Sequence, residues 1–153
     1  MGRMYSASFE KVAVSAAQDL FEIVAPADSV VVLHSLYLGQ SSDAGDAMAE
    51  MLNILITRAT GSGSGGSSPT PTPLNKGDAA FGGTVEANNT TPGTEGVFVH
   101  ACTFNVQGGL DVVWTPETRP VISPSERICV NLQDAPADAL TMNGTLYFEE
   151  IGG

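Results

Sequence analysis

Residues 97–106 read Val97-Phe98-Val99-His100-Ala101-Cys102-Thr103-Phe104-Asn105-Val106. Phe98, His100, Cys102, Phe104 and Val106 fall on one face, and Val97, Val99, Ala101 and Thr103 on the other. A repeat of two is the signature of an extended strand with one face against a core. The same alternation recurs where Ile128, Val130 and Leu132 interleave with Cys129, Asn131 and Gln133. It returns where Leu146 and Phe148 interleave with Thr145, Tyr147 and Glu149. Working outward, the second half of the chain holds candidate strands Val97–Val106, Leu110–Trp114, Arg127–Leu132 and Leu140–Glu149. Gln107-Gly108-Gly109 reads as a tight hairpin between the first two, and Gln133–Asp138 as a longer one between the last two. The first half holds candidates Ser8–Val14, Leu20–Val24, Val30–Leu38 and Leu52–Ala59. Turn formers bound most of them, as in Ala25-Pro26-Ala27-Asp28-Ser29.

Between the halves lies Gly61–Pro73, GSGSGGSSPTPTP. Its Gly/Ser portion predicts flexibility and its Thr-Pro portion an extended, polyproline-like chain. A linker between two domains is one reading, but each flanking block has only about 55 residues, marginal for a core of its own. Four strands on either side together make one sandwich. The expectation is therefore an all-β chain: a single antiparallel β-sandwich over residues 1–153, jelly-roll-like, of about eight strands. Residues 1–8 form an N-terminal segment, and residues 61–96 a long Gly/Ser/Pro-rich excursion, which at that length is usually functional or disordered. Helix is scarce. Ser42–Met51, capped by Ser42 or Asp43, predicts one or two turns or an irregular acidic loop, and Ala79–Phe81 an isolated turn.

The charge is lopsided: 17 Asp and Glu against 6 Lys and Arg, for a net −11 in 153 residues. Such a chain repels phosphate backbones, and its scattered basic residues form no patch, so no direct nucleic-acid partner is expected. Charged residues are only 15% of the chain, against roughly 25% in ordinary soluble domains. Much of the surface must therefore be neutral. The longest apolar run, Val30–Leu33, is far too short to span a bilayer, and Met1–Asp19 lacks the apolar stretch of a signal peptide. No membrane association is expected, and folding is expected in a cytoplasm. Cys102 and Cys129 lie in apolar strands and read as buried free thiols, with a bridge open only if those strands are neighbours.

Residues that carry chemistry are few. His34 and His100 sit in separate strands with no ligand spacing around them, so they read as hydrogen-bonded imidazoles rather than a metal site. There is no G-x-S-x-G elbow, and GSGSGG lacks the Lys-Ser/Thr and the helix of a phosphate cradle. Asp43, Asp46 and Glu50 read either as a cation site or as a solvated cap. Trp114, Tyr37 and Tyr147 could make a sugar-stacking platform or serve packing. No catalytic, cofactor-binding or metal residue is nominated. No enzyme and no cofactor are expected.

Four segments resemble a known family: FEIVAPADSVVVLHSLYLGQSSDAGDA (Phe21–Ala47), SGSGGSSPTPTPLN (Ser62–Asn75), RPVISPSERICVNL (Arg119–Leu132) and GTLYFEEIG (Gly144–Gly152). They look like small virion proteins of tailed bacteriophages and prophages, similar to capsid decoration, or cement, proteins. The resemblance implies a structural protein made in the host cytoplasm that sits on the virion's capsid exterior as a homotrimer. There it clamps adjacent subunits of the major capsid protein, its partner on the head. Residues 61–96 and Met1–Ser8 are then candidate arms reaching across subunits. The alternative is a carbohydrate-binding β-sandwich module on the virion, using Trp114, Tyr37 and the Asp43/Asp46/Glu50 cluster.

Overall fold

The computed structural model describes residues 2–42 and 50–152. Among them the chain forms β1 (Arg3–Val14), β2 (Gln18–Val24), β3 (Ser29–Gln40), β4 (Met51–Ala59), β5 (Thr72–Pro73) and β6 (Thr84–Asn89). It continues with β7 (Glu95–Asn105), β8 (Leu110–Val113), β9 (Val121–Ile122), β10 (Arg127–Leu132) and β11 (Leu140–Gly152). One sheet runs β5-β1-β11-β3-β8, with β9 also on β3, and the other runs β6-β2-β10-β4-β7. Every pairing is antiparallel. Setting aside β5, β6 and β9, the sheets read β1-β11-β3-β8 and β2-β10-β4-β7. That is the strand order of a jelly roll, so the expected all-β sandwich is the fold.

All eight expected strands form, but their connections differ from the hairpins expected at Gln107–Gly109 and Gln133–Asp138. β7 lies in one sheet and β8 in the other, and β10 and β11 are likewise split. These turns are corners that carry the chain across the sandwich. Gly109, with φ +72°, supplies the left-handed residue at the first of them. The physical reason is burial. A hairpin would keep both strands in one layer, whereas crossing over lets each apolar face meet its counterpart in the opposite sheet.

The inner faces share one cluster. Leu33, Leu36, Leu146 and Phe148 from the first sheet and Phe21, Ile23, Ile54, Ile56, Ile128 and Val130 from the second are fully or almost fully buried in it. Strands from both sides of the Gly/Ser/Pro tract interleave: β10 lies between β2 and β4, and β11 between β1 and β3. Each sheet is therefore completed only by a strand from the other half.

The excursion is held rather than loose, against the flexibility expected of its Gly/Ser portion. Ser64 N donates to Thr91 O at 2.9 Å and Ser67 N to Ala87 O at 2.9 Å, while Thr60 N reaches Thr94 O at 2.8 Å. Residues 60–67 thus run antiparallel to residues 87–94 as an irregular ribbon along the free edge of β6. Gly66 is needed there, because a Cβ would collide with the carbonyl oxygen of Ala87. The Thr-Pro portion is extended as expected and pairs as β5 with Tyr5 and Ser6 of β1. Ala79–Phe81 forms no helical turn. The turn lies at Asn75–Asp78, where Asp78 N donates to Asn75 O and Gly77 N to Asn75 Oδ1. Phe81 instead inserts its ring beside Tyr5 at 5.5 Å and Phe148 at 4.9 Å, and burial of that ring favours an extended approach.

The N-terminal residues are likewise occupied. Residues 3–8 pair with β11 along β1, and Arg3 pairs with the Glu150 carboxylate at 3.3 Å. The expected helical stretch Ser42–Met51 falls largely outside the described residues, and Met51 opens β4.

Because the halves interleave, one cut between Ser67 and Thr72 should leave the two fragments bound together. They should co-elute in native gel filtration and separate only in denaturant, and neither should show a cooperative unfolding transition alone.

Candidate functional site

Two features stand out from the core. One is a buried polar cluster that the alternation of strands does not announce. β2 and β10 are covered on both faces, yet their outward residues are Asp19, Glu22, Cys129 and Asn131. The ribbon lies over them. Glu22 Oε1 accepts from Ser62 Oγ at 3.1 Å and pairs with Arg127 Nε at 3.1 Å. Its Oε2 accepts from Gly63 N at 2.8 Å and from Asn89 Nδ2 at 3.4 Å. Asp19 Oδ2 accepts from Gly93 N at 2.7 Å and Oδ1 from Asn131 Nδ2 at 2.7 Å. Gln133 Nε2 in turn donates to Asn131 Oδ1.

Asp19, Glu22 and Cys129 bring potential metal-ligand atoms within 4.8 Å of one another. The carboxylate oxygens, however, are already committed to backbone amides, asparagines, a serine and an arginine. A cation would have to displace the ribbon's own amides. The arrangement works as an anchor: two carboxylates on β2 grip both strands of the ribbon, Gly63 on the way out and Gly93 on the way back. Burial raises the Asp19 carboxyl above its usual range. The Gly93 amide and Asn131 oppose the rise, and the charges of Glu22 and Glu95 add to it. Burial, with the nearby Asp19 and Glu22 charges, also pushes the Cys129 thiol up. Cys102 is raised by burial alone, so neither sulfur is set up as a thiolate. Both are free. β4 separates their strands, which closes the possibility of a bridge, and Cys102 is only half-buried.

The second feature is an apolar edge. β7 pairs with β4 on one side, and on the other it carries no strand among the described residues. Phe104 and Val106 lie in the core, and the same face continues through half-buried Cys102 and His100, opposite Ile54 and Ile56; Phe98, expected on that face, instead pairs with Thr57 on the other face and is 57% exposed. Val97 is 74% exposed and Val99 42%. A bulge opposite Ile56 and Thr57 disturbs the register here. At the same end Arg58 Nη1 reaches across to the Val121 carbonyl on β9 at 3.1 Å, and Val121 is itself exposed. His100 stands edge-on to Trp114 at 5.7 Å and closes the gap between the sheets behind this edge.

The residues weighed from sequence are mostly dispersed. His34 Nε2 lies 3.1 Å from Glu149 Oε2 on β11, in a different sheet from His100. Asp43 and Asp46 lie outside the described residues, and Glu50 Oε2 accepts from Ala137 N at 2.8 Å. Trp114 is buried against His100, away from any sugar-stacking role, whereas Tyr37 and Tyr147 meet edge to face at 5.9 Å. A shallow hollow of about 240 Å³ beside them is lined by Tyr37, Gly39, Asn143 and Thr145. Sequence reasoning missed Asp19 and Glu22. Acidic residues inside a short apolar strand were the available signal, and they read as solvent-facing until the ribbon is placed over them.

No family model matches the chain, and no curated protein matches it. Among solved structures, the chain is similar to infectious bursal virus derived T=1 particles at 13% identity and a TM-score of 0.17. The match covers 97% of this chain and 38% of that one, and at such a score it carries no argument.

Glu22→Ala should strip the ribbon of its main acceptor and strand Arg127. The expected loss is about 3 kcal/mol, as for breaking a buried ion pair from one side, with new protease cleavage between Gly61 and Ser67. The sign for Asp19 follows from its raised folded value. Its contribution to stability is complete below the unfolded value of 3.8 and is lost as the pH climbs through the higher folded one. Urea unfolding across this range should show that slope in the wild type and a flatter curve in Asp19→Asn.

Proposed function

We propose that this protein is a structural component of a tailed-phage virion, docking as a trimer on the outer surface of the capsid and bridging major capsid protein subunits. The observation that carries the reading is the exposed apolar run Val97, Phe98 and Val99 on a chain of net charge −11. Exposed apolar residues gathered on one edge mark an interaction surface, and desolvating neutral groups costs little compared with desolvating charges. The four segments that resemble virion decoration proteins support the choice of partner.

The mechanism follows from repetition. A single contact of this size is weak. A trimer engages several capsid subunits at once, and linked sites bind far more tightly than each one alone. The work is then mechanical: neighbouring subunits are held together against outward pressure, with no bond made or broken. An acidic outer layer is compatible with this, because the packaged DNA lies on the other side of the shell.

The Tyr37–Tyr147 pair favours a second reading, a carbohydrate-binding module on the virion. An exposed tyrosine beside the Asn143 and Thr145 side chains offers one stacking face and hydrogen-bonding groups. A glycan array separates the two readings: binding lost in Tyr37→Ala supports the module, and silence across the array removes it.

For the decoration reading, purified protein added to undecorated phage heads should co-sediment with them and raise the temperature at which they release DNA. Protein that stays in the supernatant at all concentrations tested would overturn it.

A further inference from the structure

The ribbon that Glu22 and Asp19 hold down also lines a hollow that those carboxylates do not reach. It lies where the chain passes from β1 into β2 and has a volume of about 290 Å³. Val12 and Ala13 of β1 supply apolar surface, Gln18 of β2 and Asn88 of β6 supply amides, and Ser67 and Thr90 supply hydroxyls. The ribbon comes this close because Gly65 has no side chain: a Cβ there would lie 2.5 Å from Thr90 Oγ1.

Asn88 is the unexplained member. It is only 6% exposed, and half of its amide is unmet. Oδ1 accepts from Gln18 Nε2 at 3.0 Å, whereas Nδ2 is buried with no partner. The next residue makes the contrast, since Asn89 Nδ2 donates to Glu86 at 2.7 Å and to Glu22 at 3.4 Å. Nearly all buried donors in folded proteins find a partner, because an unmet one is costly. Turning both amides over preserves their mutual bond and leaves an acceptor unmet in place of a donor.

The lining selects what would meet it. No charged side chain lines the hollow among the described residues. An ion entering it would give up water and gain no opposite charge. A purely apolar ligand would leave the amide as it is. A hydroxyl both donates and accepts, so it satisfies either amide atom and the Ser67 and Thr90 hydroxyls as well. The C–H surface of a sugar ring can then lie on Val12 and Ala13. The volume is at the low end for small-molecule sites, which suits one ring rather than a chain of them.

We propose that this hollow binds a single neutral sugar unit, with the Asn88 amide as its central hydrogen-bonding group. The site shares no residue with the hollow beside Tyr37 and Tyr147, and it is independent of docking on a capsid.

The test is NMR titration of the isotope-labelled full chain with glucose, galactose, mannose and N-acetylglucosamine in turn. At least one of them should shift the Asn88 side-chain amide and the Gly65 and Gly66 backbone amides to saturation. Asn88→Gly keeps a residue that accepts the left-handed φ of +57°. Read at the Gly65 and Gly66 amides, it should weaken binding about tenfold, as expected for losing buried hydrogen bonds. Thr90→Val, an exposed and nearly isosteric change, should weaken it less and covers the case in which Asn88→Gly does not fold. Tyr37→Ala should leave it unchanged, and glucuronate should bind more weakly than glucose. Glucuronate binding as tightly as glucose overturns the neutral class. Binding that survives both pocket substitutions, or that vanishes in Tyr37→Ala, overturns the site. Amides that move with none of the sugars leave the hollow to water and overturn it too. Co-sedimentation with heads is measured separately, so neither failure is mistaken for the other.

Discussion

β10 and β11 are the last long strands made, and each takes the middle of a sheet. β10 completes the layer of β2 and β4, and β11 that of β1 and β3. Until they arrive, β2 and β4 have no common partner and the inner faces of β1 and β3 stand apart. The closing contacts are therefore non-local. Arg3 of β1 faces Glu150 of β11, and Ile128 pairs with Ile23 on one side and Arg58 on the other. Such topologies fold slowly, because loop-closure entropy is lost before the apolar burial that offsets it is gained. The same constraint explains why a glycine- and serine-rich tract between the halves does not divide them. It closes a loop whose two ends are already fixed in one sheet, at Ala59 of β4 and Glu95 of β7, which pair with each other.

Holding that loop down requires something stronger than its own side chains, which are small and polar. The solution is to bury acceptors beneath it. Removing a carboxylate from water costs several kcal/mol, and donors must offset that cost. At Glu22 they include Arg127, a full opposite charge. At Asp19 they are the neutral Gly93 amide and Asn131, and burial wins over them, as the raised carboxyl shows. The cluster is thus unevenly balanced. Glu22 is the strong point of attachment, and Asp19 is the point at which protonation relieves the buried charge. Cys129 beside them stays a neutral thiol, which avoids a third negative charge in the same pocket.

The legible part of the sequence was the part governed by local pattern. A repeat of two at Val97–Val106 and Leu140–Glu149 gave strands that exist, because an apolar face in a sandwich has one place to go. Connections were not legible. Gln107-Gly108-Gly109 has the composition of a hairpin turn, and only the opposite sheet's need for a partner makes it a corner. β6 was missed because Asn88 and Asn89 look like loop residues, and they are buried for the network: Asn89 Nδ2 reaches Glu86 at 2.7 Å and Asn88 Oδ1 accepts from Gln18 Nε2 at 3.0 Å. The ribbon was read as flexible from its glycines. The same glycines permit the approach that fixes it, and which outcome holds depends on the carboxylates of β2, more than thirty residues away.

The alternation of β7 carried more meaning than a strand assignment. In an edge strand buried along its length, the inward face would be apolar and the outward face polar. Here a bulge at Val99 breaks the alternation, and Val97, Phe98 and Val99 around it are all left largely in water. Folding alone does not account for three large apolar side chains left in water, since each forgoes on the order of 1 kcal/mol or more of burial. Nor does solubility, which a charged residue at position 97, 98 or 99 would have served better. The ribbon and β5 show that the chain blocks sheet edges elsewhere. An exposed apolar segment on the side of the molecule where both sheets end uncovered among the described residues is therefore best understood as one completed by another chain.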